Sequence, residues 1–320
     1  MRGLEGVSIA AVADPLAASQ KAAKRLIPAA KLYLSWQACI EGEGLDAILV
    51  ASPPSTHLEI CLAAIKVRVP VFMEKPFILK DEISHIDELR AATPQLMINF
   101  NRRFWPTYQS LRDRVHSGEI GKLKHAEFVL HVNIANWCSV TQHRLNPSEG
   151  GALFDLGSQI IDLARIIVGQ EPIGLEAKIW KEKLEDDHIQ INLNFESGCT
   201  ALCDVAYSEH TQERITVEGT GSILTLGNPN MTIHTEPPVS LAQHLFAYVG
   251  DLVSFGHKAM RREQSMLRFT VRESIKTFIH SLRSGESFSP GLDEAVTIAT
   301  YLQAAMQSSA NGTPVALSKD

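Results

Sequence analysis

At 320 residues the chain is long enough for two domains, and its 45% hydrophobic and 21% charged residues describe an ordinary globular protein. A formal net charge of −6 argues against a broad nucleic-acid surface. No apolar run is long enough to cross a bilayer and the N-terminus carries no signal-peptide core, so no membrane association is expected.

Short apolar runs alternate with helical periodicity from the start to residue 118, the signature of a parallel sheet. Strands are predicted at 7–13, 31–34, 47–51, 69–73 and 95–99. Helices are predicted at 16–26, 56–65, 81–92 and 104–116, the last closed by Gly118. From Lys122 the rhythm changes. A long strand at 124–132 precedes a helix over 151–168 that stops at Gly169. Alternating strands follow at 175–180, 188–195, 200–207, 214–218 and 223–226, with Glu196-Ser197-Gly198 and Thr220-Gly221-Ser222 as hairpin turns. This half reads as a mostly antiparallel open sheet with one face free to pair. Residues 237–260 read as a loop and an amphipathic helix, and 266–284 and 292–308 as two more helices. The expected fold is therefore α/β plus α+β, with boundaries at 1–118 and 119–320.

Cys39, Cys61, Cys138, Cys199 and Cys203 are scattered, odd in number and without a C-x-x-C pair, which fits a reducing, cytoplasmic setting. The histidines show no H-x-x-x-H or H-x-H spacing, so no metal site is expected.

Two motifs carry chemistry. Glu74-Lys75-Pro76 follows the apolar run Val69-Pro70-Val71-Phe72-Met73, which puts a lysine at the carboxyl end of a buried parallel strand, where open α/β sheets hold ligands. Further on stands Gly150-Gly151-Ala152-Leu153-Phe154-Asp155-Leu156-Gly157-Ser158-Gln159-Ile160-Ile161-Asp162. It sets Asp155 and Gln159 one helical turn apart on one face.

Together these motifs resemble those of the Gfo/Idh/MocA family (glucose–fructose oxidoreductase / inositol dehydrogenase). The resemblance extends to the strand and acid ending at Asp14, the turn Ser52-Pro53-Pro54 with His57, Phe100-Asn101-Arg102-Arg103-Phe104, Glu218-Gly219-Thr220-Gly221-Ser222 and Gly312-Thr313-Pro314-Val315. It implies a Rossmann-type domain followed by an open-sheet substrate and oligomerisation domain. The implied activity is reversible, NAD-dependent hydride transfer at a secondary alcohol of a sugar or polyol. It implies a homodimer or homotetramer paired through the open sheet face. By resemblance Lys75, Asp155 and Gln159 are the catalytic group, and Asp14, Ser52, Pro53, Pro54, His57, Glu74 and Lys75 line the cofactor. Substrate contacts are expected from Lys75, Arg103, Trp137, His143, Asp155 and Gln159. Asp14 favours NAD over NADP, because a carboxylate bonds ribose hydroxyls and repels a 2′-phosphate; it also reads as a cap for the following helix. From the residues alone His57 reads first as a packing or capping residue, and His143 as a solvated loop residue.

The chain departs from the family pattern twice. The opening strand and its G-x-G-x-x-G phosphate turn do not occur in this sequence, so weakened NAD binding is expected. A start lying further upstream and a natural form with altered binding are both open explanations. Gln159 stands where the family motif has histidine, and an amide can hydrogen-bond a hydroxyl but cannot take its proton. Two alternatives to an active enzyme follow: a binding or regulatory relative, and a truncated product of an active gene.

Overall fold

The computed structural model describes residues 4–92, 94–134, 144, 151–181, 187–228, 231–238 and 257–317. It divides into two compact units. The first comprises Met1–Asn99 and Arg272–Val296, and the second Phe100–Val271 and Thr297–Asp320. Residues 100–118, which the sequence grouped with the N-terminal half, thus cluster with the second unit.

In the first unit β1 (Ala11–Ala13), α1 (Ala17–Leu26), β2 (Lys31–Tyr33), α2 (Trp36–Gly42), β3 (Ile48–Val50), α3 (His57–Lys66), β4 (Val71–Met73), α4 (Ile86–Ala92) and β5 (Leu96–Ile98) follow one another. All their strand pairs are parallel, as the βα rhythm requires. They form two sheets, β1-β2 and β3-β4-β5, because β1 and β3 share no ladder. β4 and β5 are apolar along their whole length, since parallel strands are covered on both faces. Val71, Phe72, Met73, Leu96, Met97 and Ile98 are all buried, and Phe72 packs its ring 5.6 Å from that of Phe278. Each strand is shorter than predicted, with the loss at its ends. The unpredicted α2 starts at Ser35, whose hydroxyl accepts the Ala38 N–H at 3.2 Å.

The second unit opens with a 3-10 turn, Asn101–Phe104, and α5 (Pro106–His116). Its eight-stranded sheet contains β6 (Leu123–Val132), β7 (Pro172–Trp180), β8 (His188–Phe195), β9 (Thr200–Tyr207), β10 (Gln212–Gly219), β11 (Ile223–Gly227), β12 (Thr232–Glu236) and β13 (Val315–Ala316). The order is β12-β11-β10-β6-β9-β8-β7-β13, antiparallel except for the parallel pair β6-β9. Alternation decides the faces. Ala126, Phe128, Leu130, Ile189, Ile191, Leu193, Ala201, Cys203 and Val205 form the buried face. The other face carries His125, Glu127, His131, His188, Gln190, Asn192 and Asp204, none of them fully buried. A π-helical turn, Leu153–Gly157, leads into α6 (Ser158–Val168), which packs on the apolar face against β6 and β9. Gly169 ends α6 in the left-handed conformation at φ 74°, a backbone state that suits glycine. Two late helices, α7 (His257–Ser284) and α8 (Leu292–Asn311), are longer than predicted; most of 237–260 lies outside the described residues. Among the described residues no helix is long and apolar enough to cross a membrane.

Candidate functional site

In the first unit the predicted ligand positions follow the carboxyl ends of β1, β3 and β4. Asp14 directly follows β1, and its Oδ1 accepts the Leu16 N–H at 2.8 Å. This bond lies just ahead of α1, whose N-cap is Leu16 with no side-chain cap, so the expected helix cap is not formed. Gln20 clips this end to β2 by donating from Nε2 to the carbonyls of Asp14 and Tyr33, both at 2.9 Å. After β3, Ser52 Oγ and Thr56 Oγ1 share a hydrogen bond of 2.6 Å, and Thr56 Oγ1 also donates to the Pro53 carbonyl at 2.8 Å. The turn is therefore rigid before α3 begins, with Pro53 exposed and Pro54 buried.

Glu74 and Lys75 are half-buried at the end of β4. The Glu74 N–H extends the β3 ladder by donating to the Val50 carbonyl at 2.9 Å, and its carboxylate accepts from Asn99 Nδ2 at 2.7 Å. Asn99, at the end of β5, is buried, and among the described residues its Oδ1 has no hydrogen-bond partner. His57 is fully buried, with Nδ1 2.7 Å from the Pro76 carbonyl and Nε2 3.0 Å from the Ser52 carbonyl. Its two ring nitrogens are taken by backbone, so His57 ties the Ser52 turn to the segment after Lys75.

In the second unit Asp155 is buried in the π-helical turn. Its Oδ2 accepts from the Tyr207 hydroxyl at 2.9 Å and from Arg144 Nε at 3.1 Å. Gln159 donates to the Asp155 carbonyl at 3.2 Å, and its Oε1 accepts from Arg102 Nε at 3.2 Å. Arg102 also donates to the Tyr108 hydroxyl at 3.1 Å and pairs with buried Glu213, to which Tyr108 donates as well. Burial, and then the Glu213 charge, push the Tyr108 phenol well up from its usual range, while Arg102 opposes the shift.

Arg103 is engaged with Asp162. Its guanidinium grips Asp162 with two bonds, Nε to Oδ2 at 2.8 Å and Nη2 to Oδ1, and Asp162 is buried. The planar fork of arginine matches one carboxylate, and Asp162 uses it. Of the adjacent pair it is Arg102 that touches Gln159. Asp155 and Asp162, seven residues apart, are held differently. The i→i+5 winding of the π turn breaks the seven-residue return of an α-helix, and the two carboxylates take different partners. Trp137 and His143 lie outside the described residues.

Sequence reasoning missed Tyr207, Arg144, Asn99, Tyr108 and Glu213. Tyr207 had a readable signal, since it ends a strand in phase with the buried residues Cys203 and Val205. Chemically, the first unit offers an ammonium and carboxylates beside a strand end. The second offers a carboxylate and an amide, each held by fixed donors.

A family described as an oxidoreductase family with an NAD-binding Rossmann fold (GFO_IDH_MocA) matches residues 1–100, and its C-terminal domain matches residues 108–225. Myo-inositol 2-dehydrogenase of Thermotoga maritima is 27% identical over 273 residues, covering 80% of this chain and 75% of that protein. The scyllo-inositol 2-dehydrogenase (NAD(+)) of Bacillus subtilis is 24% identical across 98% of this chain and 89% of its own. An oxidoreductase from Agrobacterium radiobacter, solved with NAD+, L-tartaric acid and magnesium, has the same fold. Its TM-score is 0.79 at 22% identity, over 98% of this chain and 92% of that one.

Proposed function

This chain belongs to the Gfo/Idh/MocA family of oxidoreductases, and we propose that it transfers a hydride reversibly between NAD and a secondary alcohol carbon of a polyol or sugar. The observation that carries this reading is Lys75 at the carboxyl end of the buried strand β4, next to a carboxylate fixed by Asn99. The named dehydrogenase relatives act on inositols, and the proposed substrate class follows them.

The residues at the strand ends suit the ribose and nicotinamide parts of the cofactor. Asp14 offers a carboxylate for ribose hydroxyls, and the buried, unpartnered Asn99 Oδ1 offers an acceptor beside Glu74. The sequence contains no G-x-G-x-x-G turn for the pyrophosphate. Bound NAD supplies the hydride acceptor. Lys75 holds the proton of the reacting hydroxyl and gives it back in the reverse direction. Asp155 and Gln159 accept and donate hydrogen bonds to substrate hydroxyls, and neither Tyr207 nor Arg144 has to move for Asp155 to keep its charge compensated. Assembly as a homodimer or homotetramer through the polar sheet face, in the cytoplasm, belongs to the same reading.

The test is NADH formation with a panel of inositols and sugars at saturating NAD. Lys75→Ala should lower kcat by about 10²–10⁴-fold, the usual contribution of a general acid–base group. Asp14→Ser should relax the preference for NAD over NADP. Undiminished turnover by Lys75→Ala sinks the assignment of Lys75.

A further inference from the structure

Three strands of the second unit bring two imidazoles and a carboxylate together on the polar sheet face. His131 on β6 and His188 on β8 both lie opposite Ala206 of the strand between them, β9. Asp204 sits two residues back along β9, on the same face. His131 Nε2 is 2.8 Å and His188 Nε2 is 3.0 Å from the same oxygen, Asp204 Oδ1. The three candidate donor atoms all lie within 4.8 Å of one another. The two rings meet edge to face, with centroids 5.8 Å apart.

The surroundings fix this arrangement. Gln190 Nε2 donates to the other carboxylate oxygen, Asp204 Oδ2, at 2.8 Å. Trp180 stacks on His188 at 4.8 Å between ring centroids and 23° between planes. The side chains stay partly open to solvent, at 24% for His131, 27% for His188 and 15% for Asp204. Burial raises the Asp204 carboxyl, but the hydrogen bonds from His131 and Gln190 and the nearby histidines outweigh it and hold it below the usual range.

We propose that His131, His188 and Asp204 form a binding site for a divalent cation of the zinc class, with a water in the open fourth position. Nothing in this proposal depends on the oxidoreductase reading. Two imidazole nitrogens and one carboxylate oxygen are a three-ligand set that zinc accepts. In a tetrahedral zinc site, ligand atoms ~2.0–2.1 Å from the ion stand roughly 3.3 Å apart, so small ring rotations convert the present hydrogen bonds into coordination. The cation would then take the place of the two Nε2 protons that now face Oδ1. Gln190 would act as the outer partner that orients the carboxylate. The ligands are 73 and 16 residues from Asp204 in sequence, which is why no spacing motif announced them.

The experiment uses the full-length, tag-free protein stripped with chelator. Calorimetric titration with Zn²⁺ should show one bound equivalent, and Co²⁺ should give a tetrahedral absorption spectrum without a thiolate band. Saturating Zn²⁺ should raise the Tm by on the order of 5 °C. His188→Gln and Asp204→Asn should weaken binding by about 100-fold or more, and Gln190→Leu by about 10–100-fold. His125→Gln, on the same face but bonded to Thr200 at 2.8 Å, should bind like the parent. Anomalous diffraction from zinc-soaked crystals locates the ion whether or not a variant folds. No uptake by the parent protein overturns the site. So does unchanged uptake by a folded His188→Gln protein, or an anomalous peak elsewhere.

Discussion

Replacing Arg103 with leucine should destabilise the second unit by about 3 kcal/mol. Asp162, the partner, is only 2% exposed, and Arg103 is 17% exposed. Breaking a buried pair from one side costs about 3–5 kcal/mol, because the remaining charge is left in a poor solvent. One feature here lowers the cost. Arg165 Nη1 stands 3.8 Å from Asp162 Oδ1 and keeps a cation nearby. Arg165 is also committed to Glu171, at 2.6 and 2.5 Å, so its charge is shared. At that separation a full pair is worth roughly 4 kcal/mol with an effective dielectric of ~20, and a shared one less, which favours the low end of the range. Urea unfolding followed by circular dichroism, with the slope checked against the parent protein, gives the number. The double variant Arg103→Leu with Asp162→Leu should recover most of the loss, since apolar pairs replace buried ion pairs at little cost. A loss below about 1 kcal/mol for Arg103→Leu, or a double variant as unstable as the sum of the singles, refutes the reasoning. Arg103→Lys separates structure from binding, because lysine cannot make the two-pronged contact. Its stability should fall while the KM for substrate stays as in the parent protein.

Two further outcomes follow from the same unit. The Glu171 carboxyl is raised by burial, but the hydrogen bond and charge of Arg165, with Tyr301, carry it below its usual range. Its folded value is therefore depressed, so its stabilisation is present above the unfolded value of about 4.3 and is lost as pH falls through the folded value. A plot of Tm against pH should lose part of its acid limb in Glu171→Gln, and an identical limb in both proteins counts against the pairing. Gln159→His should retain or raise activity and add a pH dependence below the usual histidine value of ~6.5. A folded but inactive variant would mean that the amide itself is the required ligand.

Much of the fold is legible because periodicity is a local property. β8 and β9 begin and end where alternation predicts, at His188–Phe195 and Thr200–Tyr207. Parallel strands in the first unit are trimmed to three residues each, although backbone hydrogen bonds reach past their ends, as at Glu74 and Asn99. The two-residue β13 is too short to show a period at all. Helix α2 could have been found from Ser35, a cap three residues ahead of the N–H that it receives. The candidate site was legible to the extent that its proposed residues lie on motifs: Lys75 at a strand end, Asp155 and Gln159 on one continuous helical stretch. Its partners were not. Tyr207, Glu213 and Asn99 come from other strands, and the assignment of Arg102 and Arg103 depends on which neighbour each guanidinium meets.

That assignment decides what position 159 can do. Arg102 and Arg103 are consecutive in one 3-10 turn, and they bind residues 159 and 162, three apart on α6. The turn thus fastens the helix at two points and sets a cation against Gln159. A nearby cation disfavours the protonated form of an imidazole. A histidine at 159 would stay neutral, and able to accept a proton, to a lower pH than a free one. Glu213 pairs with Arg102 and reduces this effect without removing it, because Gln159 meets the guanidinium edge directly at 3.2 Å. An amide at the same place accepts the Arg102 N–H and leaves the Arg102–Glu213 pair electrically balanced. With an amide at 159, a substrate hydroxyl can be positioned there but cannot give up its proton there, so in the proposed reaction the proton must pass through another group.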